Sequence, residues 1–321
     1  MDRRVTTTID PERCIGCGAC VSVCPSGTLT MADGKARVTG EASLGCGHCE
    51  AVCPTGAVRV GAIAADATRF RTVAIDLSWL PHGRYDAAGL IRLMGSRRSC
   101  RNYTDQPVDP AVLEDLVRAG VLAPSGTNSQ GWTFTILSEP SDVRAFGERV
   151  GRFFERLNRT AEKAWLRRVL KWFGRPELDR YYRGYHQTVK EALREHAEGG
   201  VDRLFHGATA AIVVGSSPGA TCPVEDALLA TQNILLAAHA MGLGTCLIGF
   251  AVAAMKKDPS IGRFLGIPRD EAVHAVIALG HTKETYLRIA GRKPFEMRMF
   301  RASGRQPDPL ERAVSTRHEE A

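Results

Sequence analysis

The pattern of apolar and polar positions divides the chain in two. Across residues 1–62 no long amphipathic period appears; Val38, Val58 and Val60 sit in strand-length snatches among glycines. Such a segment has too little apolar sequence to close a core and needs a staple. Residues 63–85 are mixed, end in Pro81-His82-Gly83, and read as a linker. Beyond them the pattern becomes regular. Residues 86–94 and 110–122 repeat apolar positions at the helical period, and Asp109 before Pro110 is placed as an N-cap. WTFTIL at 132–137 alternates as a strand does, AAIVVG at 210–215 and AVHAVIALG at 272–280 are apolar runs of strand length, and 225–241 is helical. This interleaving over 86–301 predicts an α+β or α/β layer fold. The polar residues 302–321 predict a loose C-terminal tail.

Two stretches need separate weighing. No charged residue occurs between Asp226 and Lys256, a length that would satisfy a membrane span. Gly242, Gly244 and Gly249 interrupt it and Gln232, Asn233 and His239 dot it, so a buried helix, a glycine turn and a core segment fit better. Within 141–200, residues 151–175 carry eight Lys or Arg against two acids, nearly all of the chain's net charge of +7. Trp165, Val169 and Trp172 share one face of this basic helix, preceded by Phe153, Phe154 and Leu157. Three readings follow: aromatics packed on the domain with solvated arginines, a lid over a site, or a docking surface for an acidic carrier or membrane. No nucleic-acid motif accompanies the charge.

Seven of the ten cysteines fall before residue 54. The opening MDRRVTTTID has no apolar signal core, so a reducing cytoplasmic location and metal ligation are expected rather than disulfides. Cys14, Cys17, Cys20 and Cys24-Pro25 form one uninterrupted run, and Cys46, Cys49 and Cys53-Pro54 a second. A tight loop of the first spacing aims three thiolates at one iron–sulfur cube and the fourth elsewhere, whereas zinc sites favour two separated pairs. Cys100, Cys222 and Cys246 are isolated and read as ordinary buried thiols.

On these runs residues 1–62 resemble a bacterial ferredoxin with two [4Fe–4S] clusters. The resemblance implies one complete ligand set, Cys14, Cys17, Cys20 and Cys53, and one incomplete set, Cys24, Cys46 and Cys49. Ser43 stands where the family has the missing cysteine. A hydroxyl is a harder donor than thiolate, so the second cluster is expected to be altered, three-iron or absent, with an occupied altered cluster favoured.

Ser96-Arg97-Arg98-Ser99-Cys100-Arg101 concentrates guanidiniums and hydroxyls suited to a phosphate. Together SRRSCRNY, APSGTNSQGW, DALLATQNILLAAHAMGLGTCLIGF and GRKPF resemble the FMN-dependent nitroreductase family, in family order over most of 86–300. The resemblance implies a three-layer α+β homodimer with two FMN sites at the subunit interface. Arg97, Arg98, Ser99 and Arg101 would hold the phosphate and ribityl chain, joined by Arg292 or Lys293; Pro124, Ser125, Gly126 and Asn128 would come from the other subunit. Leu247, Ile248 and Gly249 would lie at the flavin ring. His281 and Gly131 depart from common family residues. No catalytic side chain is expected, since the family's chemistry rests on the flavin.

The expected activity is reduction of a nitroaromatic, quinone or activated alkene with electrons passed through the fused clusters, from an external ferredoxin or NAD(P)H. An electron-transfer module between soluble ferredoxin and a partner protein is the alternative, and a non-catalytic redox or flavin sensor a further one. No separate dinucleotide-binding fingerprint is present.

Overall fold

The computed structural model describes residues 3–64 and 66–300. The tail expected at 302–321 lies outside the described residues. The chain to Thr285 forms one compact unit and the chain from Tyr286 a second, whose described residues contain neither helix nor strand.

In the N-terminal segment β1 (Thr7–Ile9) pairs antiparallel with β4 (Val58–Val60), and β2 (Leu29–Ala32) with β3 (Lys35–Val38). Two one-turn helices, α1 (Ala19–Ser22) and α2 (His48–Ala51), begin by the same device: a left-handed glycine, Gly18 at φ 75° and Gly47 at φ 76°. Only glycine enters that region without cost, so the two cysteine runs fold as copies of one turn. Their shared core is Cys20, Leu29, Ala36, Cys49, Val58 and Val60, of which two are cysteines. Little apolar area is left to hold the segment without what those thiols bind.

Downstream, the ordered elements are α3 (Ala87–Ser96), α4 (Pro110–Val121), β5 (Trp132–Leu137), α5 (Pro140–Ala161), α6 (Ala164–Trp172), α7 (Glu177–Gly184), α8 (His186–Gly199), β6 (Ala210–Ser216), α9 (Pro223–Ala240), β7 (Leu243–Leu247), α10 (Gly249–Lys257), α11 (Pro259–Phe264) and β8 (Ala272–His281). Asp109 caps α4 by accepting the Ala111 amide at 2.8 Å. The four strands form an antiparallel sheet in the order β5-β6-β8-β7.

The pleat of β6 sorts its residues between two cores. Ala210, Ile212 and Val214 pack with Leu113 and Leu116 of α4 and with Ile234, Leu235 and Ala238 of α9. Ala211 and Val213 face the other way, toward Val143, Phe146 and Val150 of α5 and Ala251 and Ala254 of α10. The result is three layers, helix–sheet–helix. The uncharged run becomes α9, a turn at Gly242 (φ 81°), β7 and α10. Among the described residues no helix is long and apolar enough to cross a membrane.

Residues 140–199 hold four helices, and the basic stretch is not one helix. It breaks at Glu162 and Lys163 between α5 and α6 and turns at Gly174 (φ 73°). Phe154 is buried in the domain core, but Trp165 and Trp172 are 63% and 82% exposed, so the packing expectation holds for the first aromatic and not for these two. The linker is also not free throughout: Arg71 and Thr72 are bonded to Asp115, which is buried on α4.

Candidate functional site

Two small cavities lie in the N-terminal segment. Cys14, Cys17, Cys20 and Cys53 line one, with Ile15 and Val58. Cys24, Cys46 and Cys49 line the other, with Ser43, Leu44 and His48. Each run therefore lends its last cysteine to the cavity of the other.

The two crossing thiols are prepared alike. Burial would raise Cys53, but the Thr55 hydroxyl and the amides of Val58, Thr55 and Ala57 outweigh it and bring the thiol down to about 7. Burial likewise opposes ionisation of Cys24, and the Thr28 hydroxyl with the Ser26, Thr28 and Leu29 amides lowers it overall. Burial pushes Cys20 and Cys49 up. Thiolate is the ligating form, so donors aimed at sulfur favour a ligand-ready state. Among the described residues no three His, Cys, Asp or Glu converge on one metal ion. Thiols spread around a cavity suit a cube of irons rather than zinc's four close donors, so the set fits an iron–sulfur cluster. Ser43 also lines the second cavity, and its Oγ accepts the Gly45 amide at 3.1 Å.

The arginine motif lies along the free edge of β7. Ser99 pairs with Thr245 as a parallel bridge, and the Cys100 amide donates to the Thr245 carbonyl at 2.8 Å. Gly244 makes this approach possible, since a Cβ there would lie 2.8 Å from both Cβ and Sγ of Cys100. Arg98, Ser99 and Arg101 are exposed, and Arg97 is half-buried at the C-terminal end of α3. Burial holds the Cys246 thiol near the end of β7 above its ordinary value, against the opposing pull of the Arg101 and Arg97 charges and the Ser99 hydroxyl. Next come Leu247, 48% exposed, Ile248, buried, and exposed Gly249 opening α10. The strip thus carries a dense positive charge beside an accessible strand end, a fit for a phosphorylated ring ligand. Arg292 and Lys293 belong to the second compact unit, where Arg292 donates to the Ala290 and Gly291 carbonyls.

Pro124, Ser125, Gly126 and Asn128 occupy the loop before β5, at the opposite edge of the sheet. Asp226, buried in the first turn of α9, clamps this loop. Its Oδ1 accepts the Gly126 amide at 2.9 Å, its Oδ2 accepts the Ser129 hydroxyl at 3.3 Å, and its carbonyl accepts Trp132 Nε1 at 3.1 Å. Thr127, Asn128 and Gln130 all take positive φ, at 49°, 56° and 46°. Asn128 Nδ2 donates to the carbonyls of Leu44 and Gly45 at 3.1 and 3.2 Å, so its side-chain amide is committed to the iron–sulfur segment.

Asp226, Leu44 and Gly45 were not singled out by sequence reasoning. Asp226 had one available signal: an acid just after Pro223, bounding an uncharged helix that would have no reason to bury it unless it bonded something. The backbone acceptors Leu44 and Gly45 leave no signal in residue type.

Residues 94–281 match the nitroreductase family and residues 6–68 a 4Fe-4S dicluster domain. A protein of Archaeoglobus fulgidus, named provisionally as an NADH dehydrogenase/NAD(P)H nitroreductase, is 25% identical over 199 residues, 60% of this chain and 86% of its own. An NADH dehydrogenase of Thermus thermophilus is 27% identical over 190 residues, 59% and 84% of the two chains. A crystal structure of a nitroreductase with bound FMN from Bacteroides fragilis aligns with TM-score 0.47 and 21% identity, covering 66% of this chain and 98% of that one. With three layers around the β5-β6-β8-β7 sheet and its paired cysteine cavities ahead of them, the chain belongs to the nitroreductase family, preceded by a 4Fe-4S dicluster domain.

Proposed function

We propose that the protein is an FMN-dependent oxidoreductase that reduces a flat conjugated acceptor, a nitroaromatic, quinone or activated alkene, with electrons received through its iron–sulfur segment. The observation that carries this is the Ser99–Thr245 bridge, which sets the arginine strip beside the accessible end of β7. Arg97, Arg98, Ser99 and Arg101 would hold the FMN phosphate and ribityl chain. Leu247, Ile248 and Gly249 would line the ring. FMN, when bound, accepts electrons singly or in pairs and delivers hydride.

The sheet order supports a homodimer. The arginine strip and the Ser125–Asn128 loop flank opposite edges of a sheet covered by helices on both faces, so one flavin meets both motifs when two copies contribute. The outward side of α9 offers an apolar surface for this, with Val224, Leu228 and Leu229 each nearly half exposed. Helix α5 and the α7–α8 junction fit the lid reading because the ring of Phe250, next to Gly249, meets Phe154 at 5.4 Å and Tyr185 at 5.7 Å. A second reading, an electron-transfer module, is favoured by α6, where exposed Trp165 and Trp172 accompany Arg168 and Lys171 on a basic surface.

The test is anoxic purification with flavin, iron and sulfide counts, then acceptor reduction with reduced ferredoxin and with NADPH as donors. About seven to eight irons per chain are expected, together with bound FMN and acceptor turnover. Absence of FMN, or no acceptor reduced with either donor, overturns the reading.

A further inference from the structure

Resting on the FMN reading above, we propose that the Leu44–Gly45 turn, clamped by Asn128, is the electron exit of the iron–sulfur segment, so the Ser43 cavity rather than the Cys17 cavity feeds the flavin. The two cavities are not equivalent in their surroundings. Ser43 and Leu44 line the second one, and the carbonyls of Leu44 and its neighbour Gly45 both receive Asn128 Nδ2. A run of covalent and hydrogen bonds therefore leads from that cavity into the loop assigned to the flavin.

The contact is also built to hold. Asn128 sits at φ 56°, a conformation that an L-residue adopts at some cost, and Gln130 Nε2 fixes its Oδ1 at 2.9 Å. Asp226 anchors the same loop from α9 through Gly126 and Ser129. On the other side, Ser43 Oγ ties the turn internally through the Gly45 amide. The first cavity presents the opposite character: Cys17 is exposed and Ile15 is 67% exposed, which suits entry from an external carrier.

The order is then external carrier, Cys14/Cys17/Cys20/Cys53 site, Ser43-side site, flavin. Each transfer oxidises the second cluster by one electron and reduces FMN by one; two transfers and two solvent protons complete the flavin's reduction. A low-potential one-electron carrier, oxidised once per transfer, refills the first site.

The full-length protein tests this with two cluster-directed variants and one contact variant. Cys17→Ala and Cys49→Ala are each loaded anoxically, reduced by a short pulse of photoreductant, and frozen at intervals for electron paramagnetic resonance, with FMN bleaching followed in parallel. In Cys49→Ala the first cluster should stay reduced while FMN remains oxidised; in Cys17→Ala FMN should still bleach from the second cluster. Asn128→Ala should raise hydrogen exchange at the amides of Leu44–Cys46 and slow cluster-to-FMN transfer by about tenfold or more, as small displacements of reacting groups do. Wild-type FMN bleaching in Cys49→Ala, or unchanged exchange and transfer in Asn128→Ala, overturns the proposal. Wild-type protein without FMN would instead sink the flavin reading itself, and the flavin count separates the two failures.

Discussion

Asp115 and Thr72 make a two-point contact across 43 positions of sequence: the Thr72 amide and hydroxyl donate to Asp115 Oδ2 at 2.6 and 2.7 Å. The Arg71 amide adds itself to both carboxylate oxygens, and Arg118 lies 3.3 Å from Oδ1. The carboxylate is fully buried, so these donors replace the water it gives up. They tie the linker to α4, and through it the iron–sulfur segment to the domain that follows.

The first prediction tests that tether. Asp115→Ala should destabilise the protein by about 2–3 kcal/mol, because several donors then face an apolar side chain. Thr72→Val, which keeps both amide bonds, should cost about 1 kcal/mol. Burial raises the Asp115 carboxyl, but Thr72, the Arg71 amide and Arg118 outweigh it and hold it below its ordinary value. A depressed folded-state value contributes stability above the unfolded carboxylate range and loses it as pH falls through the folded value. Limited proteolysis at residues 63–85 should therefore accelerate in acid below about pH 4, and not in alkali. A linker cut equally fast in wild type and Asp115→Ala would remove the tether.

The second prediction concerns Gly244. Replacing it with Ala puts a methyl 2.8 Å from Cβ and Sγ of Cys100, which backs the arginine strip. Overpacking of this kind costs about 1–3 kcal/mol. Either Cys100 moves away from β7, carrying Ser99 and Arg101 with it, or the strand bends. Bound FMN per chain should drop along with the melting temperature, and adding Cys100→Gly should restore part of both. Full FMN retention in Gly244→Ala would show that the strip's seat on β7 does not govern the flavin.

What could be read from sequence and what could not divide along one physical line. β5, β6, β8, α4 and the Asp109 cap were legible because each depends on the period of its own residues or on one neighbour. The paired cysteine turns were legible for the same reason, since spacing within a loop fixes where thiols can point. The break between α5 and α6 was hidden, as the polar, largely basic pattern continues across Glu162 and Lys163 without a proline or glycine to mark it. The contacts of Asn128 with Leu44 and of Asp115 with Thr72 were hidden because their acceptors or donors are partly backbone, which residue type does not encode.

The last prediction returns to Ser43. It lines the cavity that Cys24, Cys46 and Cys49 also line, where it would supply the fourth donor, and its oxygen already accepts the Gly45 amide. An oxygen donor is harder than sulfur and stabilises the ferric level more, so a cluster held this way should be reduced at lower potential than its all-thiolate neighbour. Ser43→Cys should give about eight irons per chain by ligand arithmetic and shift the second cluster's midpoint upward. Ser43→Ala removes the fourth donor, and about seven irons should remain, with the signal of a three-iron cluster in the oxidised protein. The Gly45 amide also loses its acceptor in Ser43→Ala, so exchange at that amide should rise. If Ser43→Cys and Ser43→Ala both leave iron content and midpoint where they stand in wild type, Ser43 is a turn residue and the second cluster takes its fourth ligand from elsewhere.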